Sequence, residues 1–176
     1  MIRLHQFEIS PYCDKIRRVL HVKWQTFHIV EVPLARAPFH VKKLSPAGKL
    51  PVLEHDGQVV ADSTDIAHYL ESQFPEPALL PADPRERALC HVLEDWADES
   101  LYFYEMRLRF TLPHNAKRWI PALVAHDGAA LKALAPLVLP RALRSQTRSQ
   151  GVGRRPVEQV LADVEQIGRA SCRERV

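Results

Sequence analysis

The chain has 176 residues, 46% hydrophobic and 26% charged, with a formal net charge of +3. That is apolar material for one ordinary domain or two small ones, and it excludes a disordered chain. No apolar run is long enough to cross a bilayer, and the charge is too small to argue for a nucleic-acid partner.

Residues 2–8 alternate, with Ile2, Leu4 and Gln6 on one side and Arg3, His5 and Phe7 on the other, which predicts a strand rather than a secretory leader. Ser10-Pro11 then opens a helix, because serine caps well and proline suits the first helical position. Its apolar face is Ile16, Val19 and Leu20; Asp14, Lys15, Arg17 and Arg18 lie mostly opposite. Thr26 to Val32 is β-rich and predicts a second strand. A short helix follows over Ala37–Leu44, then a loop at Ser45-Pro46-Ala47-Gly48. Val52–His55 and Gln58–Ala61 flank Asp56-Gly57, a hairpin signal, since the turn needs the positive φ that glycine accepts. Asp62 or Ser63 caps a third helix to about Gln73, with Ile66, Ala67 and Leu70 inward.

The order is β-α-β-α-β-β-α over residues 1–75. A proline-rich linker follows at 76–84, too stiff to continue a helix. Everything after it, 85–166, reads as helical. Residues 85–110 carry Leu89, Val92, Leu93, Trp96, Leu101, Tyr104 and Leu108 near helical spacing. A further helical stretch over 116–134 is interrupted by Pro136 and Pro140, and 141–155 reads as a basic helix end or loop. Val157 to Gln166 is amphipathic through Val157, Val160, Leu161 and Val164.

The last ten residues, IGRASCRERV, break that periodicity. They match, residue for residue, the translation of a common sequencing-library adapter. The match implies that 167–176 is an artefact and that the natural sequence is cut at about Gln166. Cys172 is then foreign, and without Arg169, Arg173, Glu174 and Arg175 the net charge falls to +1. The other cysteines, Cys13 and Cys90, form no disulfide framework, which suits a reducing, cytoplasmic compartment. The nine histidines show no zinc-like spacing, so no metal is expected.

Four features fall within the α/β part: Ser10-Pro11-Tyr12-Cys13 at a strand-to-helix junction, Lys49-Leu50-Pro51-Val52 entering a strand, the Asp56-Gly57 hairpin, and Asp62-Ser63 opening a helix. In this order they resemble the thioredoxin-like N-terminal domain of cytosolic glutathione transferases, of the serine type. The linker and helical remainder resemble that family's second domain. Glu94-Asp95-Trp96-Ala97-Asp98-Glu99-Ser100-Leu101-Tyr102 is similar to bacterial members.

The resemblance implies a glutathione transferase acting on an apolar electrophile, with no metal, nucleic acid or membrane partner, and a homodimer at full length. A free thiol ionises near a pKa of roughly 8.5. The Ser10 hydroxyl and the positive end of the first helix would stabilise the glutathione thiolate, which is the nucleophile. Pro51 resembles the family's cis-proline, which turns the Leu50 backbone toward the cysteinyl part of glutathione. Asp62-Ser63 stands where the family usually has Glu-Ser, and the serine and helix N-terminus there hold the γ-glutamyl carboxylate. Lys49, His40 or Lys42 would hold the glycyl carboxylate.

Plainer roles exist for each. Ser10, Asp62 and Ser63 are also natural helix caps, and Pro51 could be an ordinary strand-entry proline. Tyr12 could donate to the thiolate or simply pack. Trp96, Tyr102, Phe103 and Tyr104 could line an electrophile pocket or form core. Arg141, Arg144, Arg148, Arg154 and Arg155 read as a solvated face. Two other functions compete. One is thiol–disulfide or deglutathionylation chemistry through Cys13; the other is binding without catalysis on the same fold. Family members continue with further helices beyond about Gln166, so this chain is expected to expose Leu134, Leu137, Val160 and Leu161 and to be poorly soluble.

Overall fold

The computed structural model describes residues 1–45 and 48–173. Pro46 and Ala47 of the expected loop lie outside the described residues, as do 174–176 and the side chains of 170–173, Cys172 among them. The chain forms two compact units, Met1–Glu94 with Ala122–Ala133, and Asp95–Pro121 with Leu134–Val176.

The first unit is built on a four-stranded sheet. Its strands are β1 (Ile2–Gln6), β2 (Phe27–Glu31), β3 (Val52–His55) and β4 (Gln58–Ala61), in the order β2-β1-β3-β4. β1 pairs parallel with β2, which requires a crossover, and α1 (Pro11–Val22) supplies it. β1–β3 and β3–β4 are antiparallel. The β3–β4 turn places Asp56 at φ 47° and Gly57 at φ 88°, the left-handed conformation the dipeptide was expected to supply. α2 (Ala37–Lys42) lies between β2 and β3, and α3 (Ser63–Gln73) follows β4.

The predicted periodicities set the core. Ile2 and Leu4 of β1, Leu53 of β3, Ile16 and Leu20 of α1, and Ile66 and Leu70 of α3 form one buried cluster. Fully burying each such side chain contributes roughly 1.5–3 kcal/mol. This is the thioredoxin-like architecture expected from the sequence. Buried Lys23 ties the linker down, donating from Nζ to Glu71 and, at 2.7 Å, to the carbonyl of Pro77. α4 (Pro84–Trp96) follows, with Leu89, Val92 and Leu93 all exposed.

The second unit is helical. A π-helical turn (Ala97–Leu101) leads into α5 (Tyr102–Phe110); α6 (Pro113–Leu123), α7 (Ala129–Gln150) and α8 (Val157–Arg173) follow, residues 122–133 belonging to the first unit. Met106, Phe110, Ile120, Ala135 and Val160 are buried. Gly153 is required by a close approach: a Cβ there would stand 2.6 Å from the backbone of Thr147 and Arg148.

Four expectations need correction. Pro136 and Pro140 do not interrupt a helix: α7 runs through both. Proline in a helix interior costs about 3 kcal/mol. Pro136 is exposed, so the carbonyl it orphans can face water, while Ala135 beside it is fully buried and the segment is rich in leucine and alanine. Residues 141–150, read as a helix end or loop, are part of that helix. Of the apolar side chains expected to be bare, Leu134, Leu137 and Leu161 are exposed, but Val160 is completely buried. α8 also continues past Gln166 to Arg173.

Candidate functional site

The strand registers bring the predicted residues to one end of the sheet. Val52 is flanked by His5 on β1 and Ala61 on β4. Pro51 is therefore in line with Gln6 and Asp62, at the C-terminal ends of β1 and β4. Ser10 follows β1 at the start of α1, and Ser63 is the first residue of α3. Both helices pack on the same face of the sheet and begin at this end, so two helix N-termini and the start of β3 meet there. Helix N-termini favour negative charge through their unpaired N–H groups.

Ser10 is half-buried, with extended backbone. Its Oγ accepts from the Cys13 N–H at 3.4 Å, the cap expected of serine. The turn before it is braced from below. Glu31 accepts from Gln6 Nε2 at 2.8 Å and from the Glu8 N–H at 2.7 Å. Arg17 donates to Gln6 Oε1 at 2.7 Å and to the Glu8 carbonyl at 3.1 Å. Asp14 accepts from Arg18, and that hydrogen bond holds its carboxyl below the usual range.

Cys13 is completely buried, and its Sγ accepts from the Phe7 N–H at 3.4 Å. Burial pushes its thiol up, against the Phe7 and Ser10 hydrogen bonds. A buried, neutral thiol is a packing group rather than a nucleophile.

The Leu50–Pro51 peptide bond is cis, as the resemblance implied. Leu50 is half-buried and precedes the β3 ladder, and Lys49 is exposed. Asp62 caps α3 by accepting from the Thr64 N–H at 2.9 Å. Its φ of 79° is costly for a residue with a Cβ, on the order of 1–3 kcal/mol, and such strain collects at ligand sites. Ser63 is buried behind it. Lys15 Nζ donates to Glu94 and, at 3.5 Å, to Thr64 Oγ1, tying α1, α3 and α4 together one residue beyond Ser63.

Of the three bases considered for a carboxylate, Lys42 and Lys49 are exposed. His40 is engaged: its Nε2 lies 3.0 Å from Nδ1 of His5. Among the described residues no group of histidine, cysteine, aspartate and glutamate could hold a metal ion, and no helix is long and apolar enough to cross a membrane. In the second unit Tyr104 is held in place: its hydroxyl donates to Asp163 at 3.1 Å and accepts from Arg155 at 2.7 Å.

Comparison with known proteins agrees with this fold. The glutathione S-transferase N-terminal domain family matches residues 4–78. A probable glutathione transferase of Aplysia californica is 36% identical over 78 residues, 44% of this chain and 85% of that protein. The chain belongs to the glutathione transferase family. Protein LigF of Sphingobium sp. (strain NBRC 103272 / SYK-6) is 52% identical over 103 residues, 56% of this chain and 40% of LigF. The crystal structure of the beta-etherase LigF superposes with a TM-score of 0.60 at 27% identity, over 98% of this chain and 71% of that one. A glutathione transferase of Methylobacterium radiotolerans, solved with glutathione sulfonate, gives a TM-score of 0.56 at 26% identity over 82% of this chain and 64% of that one. The chain spans 40% of LigF and 41% of Glutathione S-transferase 1 of Dianthus caryophyllus.

Sequence reasoning missed Gln6, Glu31 and Arg17, which brace the Ser10 turn, and Asp127, which accepts from two backbone N–H groups before α2. Arg17 and Gln6 sit on faces whose periodicity was read. Asp127-Gly128 carried only the signal of a turn.

Proposed function

We propose that the chain acts as a glutathione transferase, binding glutathione across the end of the sheet where Ser10, Leu50-Pro51 and Asp62-Ser63 converge. That convergence, in a chain of this family, is the observation that carries the reading. In it the Ser63 hydroxyl and the α3 N-terminus take the γ-glutamyl carboxylate, and the carboxylate of Asp62 lies beside the γ-glutamyl ammonium. The Leu50 backbone, outside the ladder, pairs with the cysteinyl backbone like an added strand. Ser10 donates its hydroxyl proton to the thiolate. The second substrate is an apolar electrophile, and the full-length protein is a homodimer.

A hydrogen bond to a charged group is worth about 1.5–3 kcal/mol, so losing the Ser10 donor raises the bound thiol pKa by about one to two units. Calorimetric titration of glutathione tests the site, and the thiolate absorbance of the complex against pH tests Ser10. Ser10→Ala is expected to bind glutathione almost unchanged, with the raised thiol pKa and slower conjugation. An unchanged thiol pKa would remove Ser10 from the mechanism.

The likeness to LigF favours one narrower reading of the electrophile, an ether. The thiolate sulfur would form a bond to carbon, the carbon–oxygen bond would break, and the departing oxygen would take a proton from water. An aryl ether therefore belongs beside the standard electrophiles in the activity panel. The thiol–disulfide reading is disfavoured by the burial of Cys13. Alkylation of Cys13 by iodoacetamide at neutral pH is expected to be much slower than that of free cysteine; rapid alkylation would restore it.

A further inference from the structure

α2 cannot hold itself in place. It has six residues, and Arg36 before it provides no side-chain cap. A helix this short needs outside support. One support is Val41, fully buried against the first unit, and a second is the His40–His5 contact. The third comes from far along the chain. Asp127, on the turn after α6, accepts from the Leu34 N–H at 3.0 Å through Oδ2 and from the Ala35 N–H at 2.9 Å through Oδ1. Only 8% of Asp127 is exposed, and its own N–H is tied to the Val124 carbonyl at 3.0 Å.

Both oxygens of one carboxylate thus hold two successive N–H groups of the connection between β2 and α2. Charge-assisted bonds of this kind are about twice as strong as neutral ones. The neighbouring His126 reaches Glu8, two residues before Ser10, through an exposed contact of 2.9 Å. One turn therefore grips the connection that carries α2 and the loop that carries Ser10, and the buried grip is that of Asp127.

We propose that Asp127 is a positioning residue for the glycyl end of glutathione. It fixes residues 33–36 and so sets where α2 presents the exposed Lys42 to the glycyl carboxylate. This rests on the transferase reading above. Asp127 touches no substrate; it acts through the backbone it holds. Asparagine cannot replace it, because its NH₂ would face a backbone N–H.

The test uses two ligands that differ only at that end. Glutathione and γ-glutamylcysteine are titrated calorimetrically into the full chain, into Asp127→Ala and into Asp127→Asn, which preserves side-chain volume should the alanine variant not fold. Both variants are expected to bind glutathione about tenfold more weakly, equivalent to about 1.4 kcal/mol. Their affinity for γ-glutamylcysteine, which lacks the glycine, should change by less than about threefold. A general loss of structure would weaken both ligands alike. Equal losses, or no loss for glutathione in a folded variant, overturn the proposal. If the unaltered chain binds neither ligand, the transferase reading fails first, and the role of Asp127 falls with it.

Discussion

The two faces of the sheet are built on different chemistry. The face toward α1 and α3 is apolar: Ile2, Leu4 and Leu53 meet Ile16, Leu20, Ile66 and Leu70. The face toward α2 is mixed. There His5, which alternates with Leu4 along β1, is buried between two polar partners, His40 on α2 and Glu54 on β3, each 3.0 Å away. Arg3 reaches Glu54 from the same strand at 3.8 Å. The apolar face can be satisfied by any set of side chains of the right volume. The mixed face depends on a specific set of protons. If Nε2 of His5 donates to Glu54, its Nδ1 must accept from His40, so the tautomers of both rings follow from one carboxylate. One face supplies stability to the frame; the other locates the short helix beside the candidate site.

The largest effect that separates the faces is expected from Leu53→Ala. It leaves a cavity among fully buried neighbours, and such changes cost about 2–5 kcal/mol. Urea unfolding followed by circular dichroism would read it as a lower midpoint with an unchanged slope. Replacing His5 with glutamine should cost less, because Glu54 and His40 both reach solvent in part and can rehydrate. A glutamine variant as unstable as the alanine one would show that the polar trio carries as much of the frame as the apolar cluster does.

The same contrast explains how much could be read from the sequence. Wherever a short-range rule and tertiary packing agree, the reading held. Ser10-Pro11 opens α1, Asp56-Gly57 makes the hairpin, and Asp62 caps α3, each through chemistry confined to a few neighbouring residues. Where a local rule was taken as a stop signal, the reading failed: α7 passes through two prolines, in a segment otherwise rich in leucine and alanine, which are strong helix formers. Contacts between residues distant in the chain left no local trace. Asp127 meets Leu34 across 93 positions, and His5 meets His40 across 35. Nothing in the spacing of those residues announces the pairing, so the reading was accurate at the helix caps and silent about what holds α2.

The smallest effect, and the most selective, is in the pH dependence of stability. Burial pushes the His5 imidazole below its ordinary value; Glu54 opposes that shift, and His40 and Arg3 add to it. The folded state then binds fewer protons than the unfolded state just below pH 6.5, so stability falls as the pH drops from 6.5 toward the folded value. His126 has the opposite sign. Its hydrogen bond to Glu8 raises it, so its contribution is present below pH 6.5 and is lost as the pH rises through the folded value. Because that pair is exposed and screened, its contribution is the weaker of the two. Carboxylates held low by partners, such as Asp14, lose their contribution only in more acidic solution, below the window in which the histidines titrate. Thermal midpoints measured between pH 7.5 and 5.5 should therefore decline with acidification. The decline should flatten in His5→Gln and steepen slightly in His126→Gln, where the opposing slope is removed. An undiminished acid decline in His5→Gln would mean that the mixed face holds its shape without the protonation pattern its geometry requires, and that the two faces differ in polarity but not in how they respond to protons.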